Sequence, residues 1–176
     1  MDREQVEKTR KKSDLLCSAH ANLKDKYSLR AILLDSFLLT SSALLALHIL
    51  ADKEMLSRFS PYGIQYETHL RSLSIIVFIL SVMEIKVDWK GKAQSHAKSL
   101  ALYAEVKREL GYALSSNRLI KADVRRVMSK YDMAAELGSS ISERDFLVQK
   151  KKHVAKIRMS KYLAERPSAN IPLTRL

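Results

Sequence analysis

Two apolar stretches dominate the pattern of hydrophobic and polar positions along this chain. The first, AILLDSFLLTSSALLALHILA, covers residues 31–51 and contains one formal charge, Asp35. The second, SLSIIVFILSVM, covers residues 72–83. A bilayer core about 30 Å thick requires roughly 20 apolar residues in a helix, so the first stretch is long enough to span a membrane. The second reaches that length only with its polar flanks, and the predicted spans are therefore about 31–51 and 70–89.

Outside the spans, apolar residues recur every three or four positions, which predicts amphipathic helices at about 2–30, 90–114, 118–137 and 143–165. The first helix runs into the first span, and the second continues out of the second span. Ser142, followed three residues later by Asp145, resembles a capping box at the start of the last helix. The predicted stripes on the first three helices are Leu16, Ala19, Leu23, Tyr27 and Arg30; Ala93, Ala97, Leu100, Tyr103, Val106 and Leu110; and Ile120, Val124, Val127, Met128, Tyr131 and Ala135. The last helix carries Phe146, His153, Val154 and Ile157.

Composition supports an all-α fold, because only 4 glycines and 3 prolines are available for turns in 176 residues. The predicted architecture is a two-helix transmembrane hairpin whose long helices extend into a cytoplasmic helical bundle, assembled as an oligomer. Residues 1–167 form a single domain with a turn at residues 60–63, and residues 168–176 form a flexible tail. A soluble helical bundle with two buried helices is the alternative.

The net charge of +12 is unevenly distributed. Residues 1–30 carry eight Lys or Arg against five acids, and residues 89–176 carry nineteen against eight, whereas residues 31–88 carry four against six. By the positive-inside rule both termini face the cytoplasm. The first thirty residues are charged throughout and lack the apolar core of a signal peptide. Cys17 is the single cysteine, so no internal disulfide is expected.

Polar residues within the two spans fall on one side of each helix. We interpret five of them as a polar seam that lines a pore or joins subunits: Asp35, Ser42, Ser74, Ser81 and Glu84. An ionised side chain at the centre of a bilayer costs about 2.5–3.5 kcal/mol on insertion scales, which favours a polar neighbour. The alternative interpretation places Asp35 at headgroup depth and treats the serines as packing residues.

The candidate anion contacts are basic residues of the last two helices: Arg125, Arg126, Lys150, Lys151 and Lys152. Three partners fit such charges. They are water or anionic lipid, which attracts each nearby basic residue by about 1 kcal/mol, an anionic nucleotide messenger, and nucleic acid. Lipid or solvent is favoured first, the messenger second and nucleic acid last.

No motif in the sequence indicates an enzyme. The glycines stand apart at 63, 91, 111 and 138, which argues against a phosphate-binding loop. No histidine has a histidine three or four residues away, so neither a metal site nor a metal cofactor is expected. His96 shares a helix face with Lys92, Ser99 and Tyr103, and a catalytic role is conceivable, but no acid at matching spacing orients it. We interpret His96 as a packing residue.

The basic first helix, the two apolar spans and the residues Trp89, Ala93, His96, Ala97, Tyr103, Glu109 and Leu110 together resemble the SLATT family. Tyr131 and Asp145 match the family's C-terminal pattern of a tyrosine helix, a short break and an acid. SLATT proteins are two-transmembrane effectors whose genes lie beside cyclic-oligonucleotide synthases or SLOG domains in antiphage systems. The resemblance covers roughly residues 15–150 and rests on small and aromatic residues at helical spacing.

The resemblance implies an oligomeric effector that permeabilises the inner membrane and causes growth arrest or death of an infected cell. It also implies control by a nucleotide messenger, with a cyclic oligonucleotide as the ligand, or by a partner such as the messenger's synthase system. The alternative is a helical adaptor without enzymatic activity, whose basic face binds an acidic partner, anionic lipid or nucleic acid.

Overall fold

The computed structural model describes residues 3–50, 66–116 and 121–166, which form helices joined by short connections. Helix α1 is Arg3–Leu50, α2 is Tyr66–Val87, α3 is Trp89–Ser115, α4 is Lys121–Leu137 and α5 is Glu143–Glu165. The all-α prediction is confirmed. The predicted turn at residues 60–63, the predicted inward residue Ile120 and the tail at 168–176 lie outside the described residues.

Helix α1 is continuous over 48 residues. It joins the charged segment at 2–30 to the apolar segment at 31–51, as predicted, because neither glycine nor proline interrupts the sequence. Contacts divide the chain into two compact units: Met1–Asp25 with Gln94–Leu176, and Lys26–Ala93. We call the first the bundle unit and the second the apolar unit.

The bundle unit has an aliphatic core supplied by three helices. Val6 of α1, Val106 and Leu110 of α3, and Val124 and Val127 of α4 are all nearly inaccessible to solvent. Their spacing of three or four residues within each helix places them on one face, so the predicted stripes of α3 and α4 are correct here. Burying each side chain contributes about 1.5–3 kcal/mol relative to exposure.

A second core cluster joins Cys17, Tyr103 and Ala134. Tyr103 meets the ring of Tyr131 edge to face, with centroids 6.0 Å apart. The prediction that Ala135 faces inward is wrong, because Ala134 is fully buried and Ala135 is exposed. Ala134 lies seven residues after Val127 and therefore stays on the same helix face, whereas Ala135 is rotated by about 100°.

Helix α5 packs only through its first half. Ser142 caps the helix by accepting a hydrogen bond from the Asp145 N–H, which confirms the predicted start. Gln149 is buried and accepts a hydrogen bond from Asn22 of α1 at 2.8 Å. Val154 and Ile157 are both exposed, because the core ends before this part of the helix.

The apolar unit exposes most of its large hydrophobic side chains. Among the described residues, one helix is long and apolar enough to cross a membrane, over Arg3–Leu47 of α1. Only 11% of its most apolar 18-residue window is buried, whereas the core helix of a soluble protein is mostly buried. Arg71 precedes the second apolar stretch on α2 and Glu84 and Lys86 follow it, and no second helix among the described residues meets the same test.

The expected continuous helix from the second span into α3 is interrupted at Asp88. Asp88 has φ of 44° and separates α2 from α3. Its carboxylate accepts a hydrogen bond from the Gly91 N–H at 2.9 Å and so caps the first turn of α3. Aspartate tolerates the left-handed region better than most residues, which makes the break at this position intelligible.

Candidate functional site

A lysine at the start of α3 links the two carboxylates predicted for the polar seam. The Lys90 Nζ lies 2.9 Å from Asp35 Oδ1 on α1 and 3.0 Å from Glu84 Oε1 on α2. We call these three residues the Lys90 cluster. One positive and two negative charges leave the cluster with a formal charge of −1. Its side chains are 41% (Asp35), 36% (Glu84) and 58% (Lys90) exposed, so part of the cluster is open to its surroundings.

The break at Asp88 sets the position of Lys90. Lys90 is the second residue of α3, immediately inside the turn that the Asp88 carboxylate caps. A Cβ atom at Gly91 would collide with that carboxylate, so glycine is needed for the cap to form as it does. The cluster therefore depends on a local backbone arrangement between α2 and α3 as well as on its three charges.

A groove of about 370 Å³ adjoins the Lys90 cluster within the apolar unit. Ala31, Leu34 and Ile85 give it apolar walls, and Asp88 adds a further carboxylate. Trp89 also lines the groove, and the Arg30 guanidinium lies 6.0 Å from the Trp89 ring centroid, in cation–π range. Tryptophan and arginine beside apolar helices are typical of the membrane–water interface, where an amphipathic ring and a long cationic side chain reach polar headgroups.

The serines predicted for the seam do not join the Lys90 cluster. Ser74 Oγ donates to the Leu70 carbonyl at 2.9 Å, and Ser81 Oγ donates to the Val77 carbonyl at 2.8 Å. Each of these bonds stays within one turn of its own helix, a common way to satisfy a hydroxyl on an apolar helix. Ser42 is partly buried on α1. The structure thus brings together Asp35 and Glu84 of the predicted set and adds Lys90, which was not among the predicted residues.

The predicted anion contacts remain on two separate helices. All five are exposed: Arg125 and Arg126 on α4, and Lys150, Lys151 and Lys152 on α5. Arg126 lies 3.7 Å from Asp123 and lines a groove of about 310 Å³ that also contains Glu109. Two carboxylates beside Arg126 make this groove a poor place for an anion.

Two buried histidines, 76 positions apart, meet in the bundle unit. His20 Nδ1 lies 3.0 Å from His96 Nδ1, and the His20 ring stacks on Tyr103. One neutral ring donates its N–H to the lone pair of the other, as the tautomers allow. Burial lowers the pKa of His20 to about 4, with His96 adding to the effect, and burial also lowers the pKa of His96.

The remaining residues once considered beside His96 are held in structural contacts. Ser99 Oγ donates to the Ser95 carbonyl and accepts the Ser139 N–H at 2.7 Å, while Lys92 is exposed. His96 itself is 5% exposed, which supports its interpretation as a packing residue. Within the described ranges no group of three His, Cys, Asp or Glu side chains is placed to hold a metal ion.

Comparison with known proteins gave no matching family model, no matching curated protein and no matching solved structure. Membership of the SLATT family therefore remains a prediction from the residues that carry the resemblance.

Proposed function

We propose that this chain is a membrane-embedded effector that oligomerises and permeabilises the bacterial inner membrane. The observation that carries the proposal is the exposure of large hydrophobic residues in the apolar unit. They are Leu29, Ile32, Leu33, Phe37, Leu39, Leu44, Leu47 and Leu50 on α1, and Ile75, Ile76, Phe78, Ile79, Val82, Met83 and Ile85 on α2.

Such a surface is costly in water. Burying one large aliphatic side chain is worth about 1.5–3 kcal/mol, so exposure of this set forgoes tens of kcal/mol, more than the net stability of an ordinary domain. A patch of this size on a soluble monomer is rare and marks a membrane or a protein contact. Insertion of α1 and α2 into a bilayer as a hairpin covers it.

The Lys90 cluster supports the second half of the proposal. Charged groups within membrane proteins face the protein interior or a water-filled path and pair with one another. Asp35 and Glu84 pair with the same lysine and retain one excess negative charge. In an oligomer, a path lined by copies of this cluster would stay hydrated and let ions cross, and the growth arrest expected of the effector would follow from that leak.

Control of the effector is assigned to the cytoplasmic helices, with both termini on the cytoplasmic side. By the SLATT resemblance, a cyclic oligonucleotide or a partner from an antiphage signalling system would set the state of the assembly. The exposed residues Arg125 and Arg126 of α4 and Lys150, Lys151 and Lys152 of α5 are the candidate contacts for the messenger's phosphates.

Fractionation tests membrane embedding. The full chain, expressed in bacteria, should pellet with the membranes and resist extraction with alkaline carbonate. The reason is that burial of its apolar surface in the bilayer is worth tens of kcal/mol. Recovery in the soluble fraction would contradict the proposal and favour the alternative, a helical adaptor that binds through its basic face.

Leakage from proteoliposomes tests the polar seam. Glu84→Gln should change the release of an entrapped dye or of K⁺, because it removes one of the two carboxylates that Lys90 bridges. Glu136→Gln is the matched control, since Glu136 is an exposed glutamate of α4 in the bundle unit. Unchanged leakage in the Glu84 variant, with normal reconstitution, would rule out the seam as the permeation path.

A further inference from the structure

One face of α5 carries basic and apolar side chains in alternation along its length. Leu147, Lys151, Val154, Arg158 and Tyr162 follow one another at spacings of four, three, four and four residues, which places them along one side of the helix. All five are exposed. We call them the α5 stripe. It lies opposite the side of α5 that carries the buried Gln149.

The second half of α5 extends beyond the bundle core. From residue 154 to residue 166 every residue is exposed except Met159, which is partly buried. This length is close to the limit below which an isolated helix is marginal in water. A surface that contacts the α5 stripe would supply the packing that the core does not supply here.

The charge of α5 is strongly positive and locally uncompensated. Seven Lys or Arg against three acids give the helix a formal charge of +4. Among the described residues no ion pair includes any of these six basic side chains: Lys150, Lys151, Lys152, Lys156, Arg158 and Lys161. In contrast, Lys8 and Lys11 on α1 each form an ion pair with a glutamate one turn away.

We infer that the α5 stripe binds the surface of an anionic phospholipid bilayer. Basic side chains reach lipid phosphates while neighbouring apolar side chains enter the boundary between headgroups and acyl chains, which is the binding mode of interfacial helices. Nucleic acid offers phosphates but no apolar layer for Leu147 and Val154. A second copy of α5 would bring Lys151 and Arg158 against like charges.

The choice of a membrane over an acidic protein rests on the proposed function, which already places the chain at a bilayer. The α5 stripe then forms an additional contact with that bilayer, and this contact depends on anionic lipid. Lys151, considered above as a messenger contact, binds a lipid phosphate in this arrangement.

The experiment uses the full chain, with an environment-sensitive dye on Ala155→Cys, reconstituted into vesicles of phosphatidylcholine alone or with phosphatidylglycerol. Cys17 does not compete for the dye, because it is buried and its pKa is raised to about 11. The emission should shift to the blue only with phosphatidylglycerol, and the shift should be reversed by salt near 1 M, where the Debye length is about 3 Å.

Two charge-matched double variants separate the stripe from general attraction. Each basic residue near an anionic surface favours contact by a factor of about five, so Lys151→Gln with Arg158→Gln should reduce contact roughly 25-fold. Lys152→Gln with Lys156→Gln removes the same charge from the other side of α5 and should reduce it far less. Equal losses in the two variants would overturn the assignment of the contact to the stripe.

Three further results test the inference that the α5 stripe binds anionic lipid. Identical emission in the two lipids would overturn the inference, as would a shift caused by single-stranded RNA or a cyclic dinucleotide in vesicles of phosphatidylcholine alone. Carbonate extraction of the same preparation is read separately. A chain that is extracted yet shows the lipid-dependent shift keeps the inference and contradicts membrane spanning, whereas a carbonate-resistant chain without the shift does the reverse.

Discussion

Acid should destabilise the bundle unit through the buried pair His20 and His96. Burial, with a smaller contribution from His96, lowers the pKa of His20 from 6.5 to about 4. Well above pH 6.5 the His20 ring is neutral in both the folded and the unfolded chain, so its pKa shift does not change the free energy of unfolding. As pH falls below 6.5 the unfolded chain binds a proton that the folded chain rejects, and the free energy of unfolding falls.

The magnitude follows from these two pKa values. At about pH 5 the weaker proton binding of folded His20 lowers the free energy of unfolding by about 2 kcal/mol. Well below pH 4 this loss reaches at most about 3 kcal/mol. His96 adds to this loss in the same direction, since burial lowers its pKa as well, although the charge of Asp145 opposes that shift. Tyr103, stacked on His20, remains neutral throughout this range.

The assay is urea unfolding of the detergent-solubilised full chain, followed by circular dichroism at about pH 7.5 and about pH 5. His20→Phe should be less stable than the wild type at the higher pH, because it removes the hydrogen bond between His20 and His96. Its loss between the two pH values should be smaller by about 2 kcal/mol. Leu39→Ala, at an exposed position outside the pair, should keep the full pH dependence. An equal loss in the wild type and His20→Phe would refute the reasoning.

Three further predictions concern the apolar unit and the core. Lys90→Gln leaves Asp35 and Glu84 without their shared cation and should lower the midpoint of thermal unfolding in detergent. Lys90→Arg should restore the midpoint. An unchanged midpoint in Lys90→Gln would show that the cluster contributes nothing to stability. Gly91→Ala displaces the carboxylate that caps α3 and should cost about 1 kcal/mol in urea unfolding, a loss absent if the cap is dispensable. Leu110→Ala should lower the free energy of unfolding by about 2–5 kcal/mol, because Leu110 is buried in the core. Leu39→Ala, at a position that is 73% exposed, should lower it by under about 1 kcal/mol. Similar losses in the two variants would contradict the assignment of Leu110 to the core.

Local sequence signals predicted the helices well. The apolar spacing of α3 and α4, the end of α4 before Gly138 and the cap at Ser142 all depend on residues within a few positions of one another. Helix formation and capping are local, so one sequence suffices to locate them. Ala135 was misplaced because it lies near the edge of a helix face, where the neighbouring elements decide which residue is covered.

Contacts between residues far apart in the sequence could not be predicted from local patterns. The hydrogen bond between His20 and His96 joins two helices, and no sequence rule pairs residues 76 positions apart. Asp88 was also missed, because an aspartate inside an apolar helix does not by itself predict a positive φ. Asp35 and Glu84 share Lys90 as a partner because a charge within an apolar segment requires one, and the sequence left the identity of that partner open.

The excess negative charge of the Lys90 cluster supports the oligomer that we propose. A single chain that inserted α1 and α2 into lipid would hold two carboxylates and one ammonium group beside apolar side chains, and one negative charge would lack compensation. Removing such a charge from water is costly, so a lone hairpin with this cluster against lipid is unfavourable. Several chains around a common axis can turn the cluster toward water and leave the exposed aliphatic residues to the lipid. The same arrangement would concentrate negative charge along the axis and so favour the passage of cations over anions.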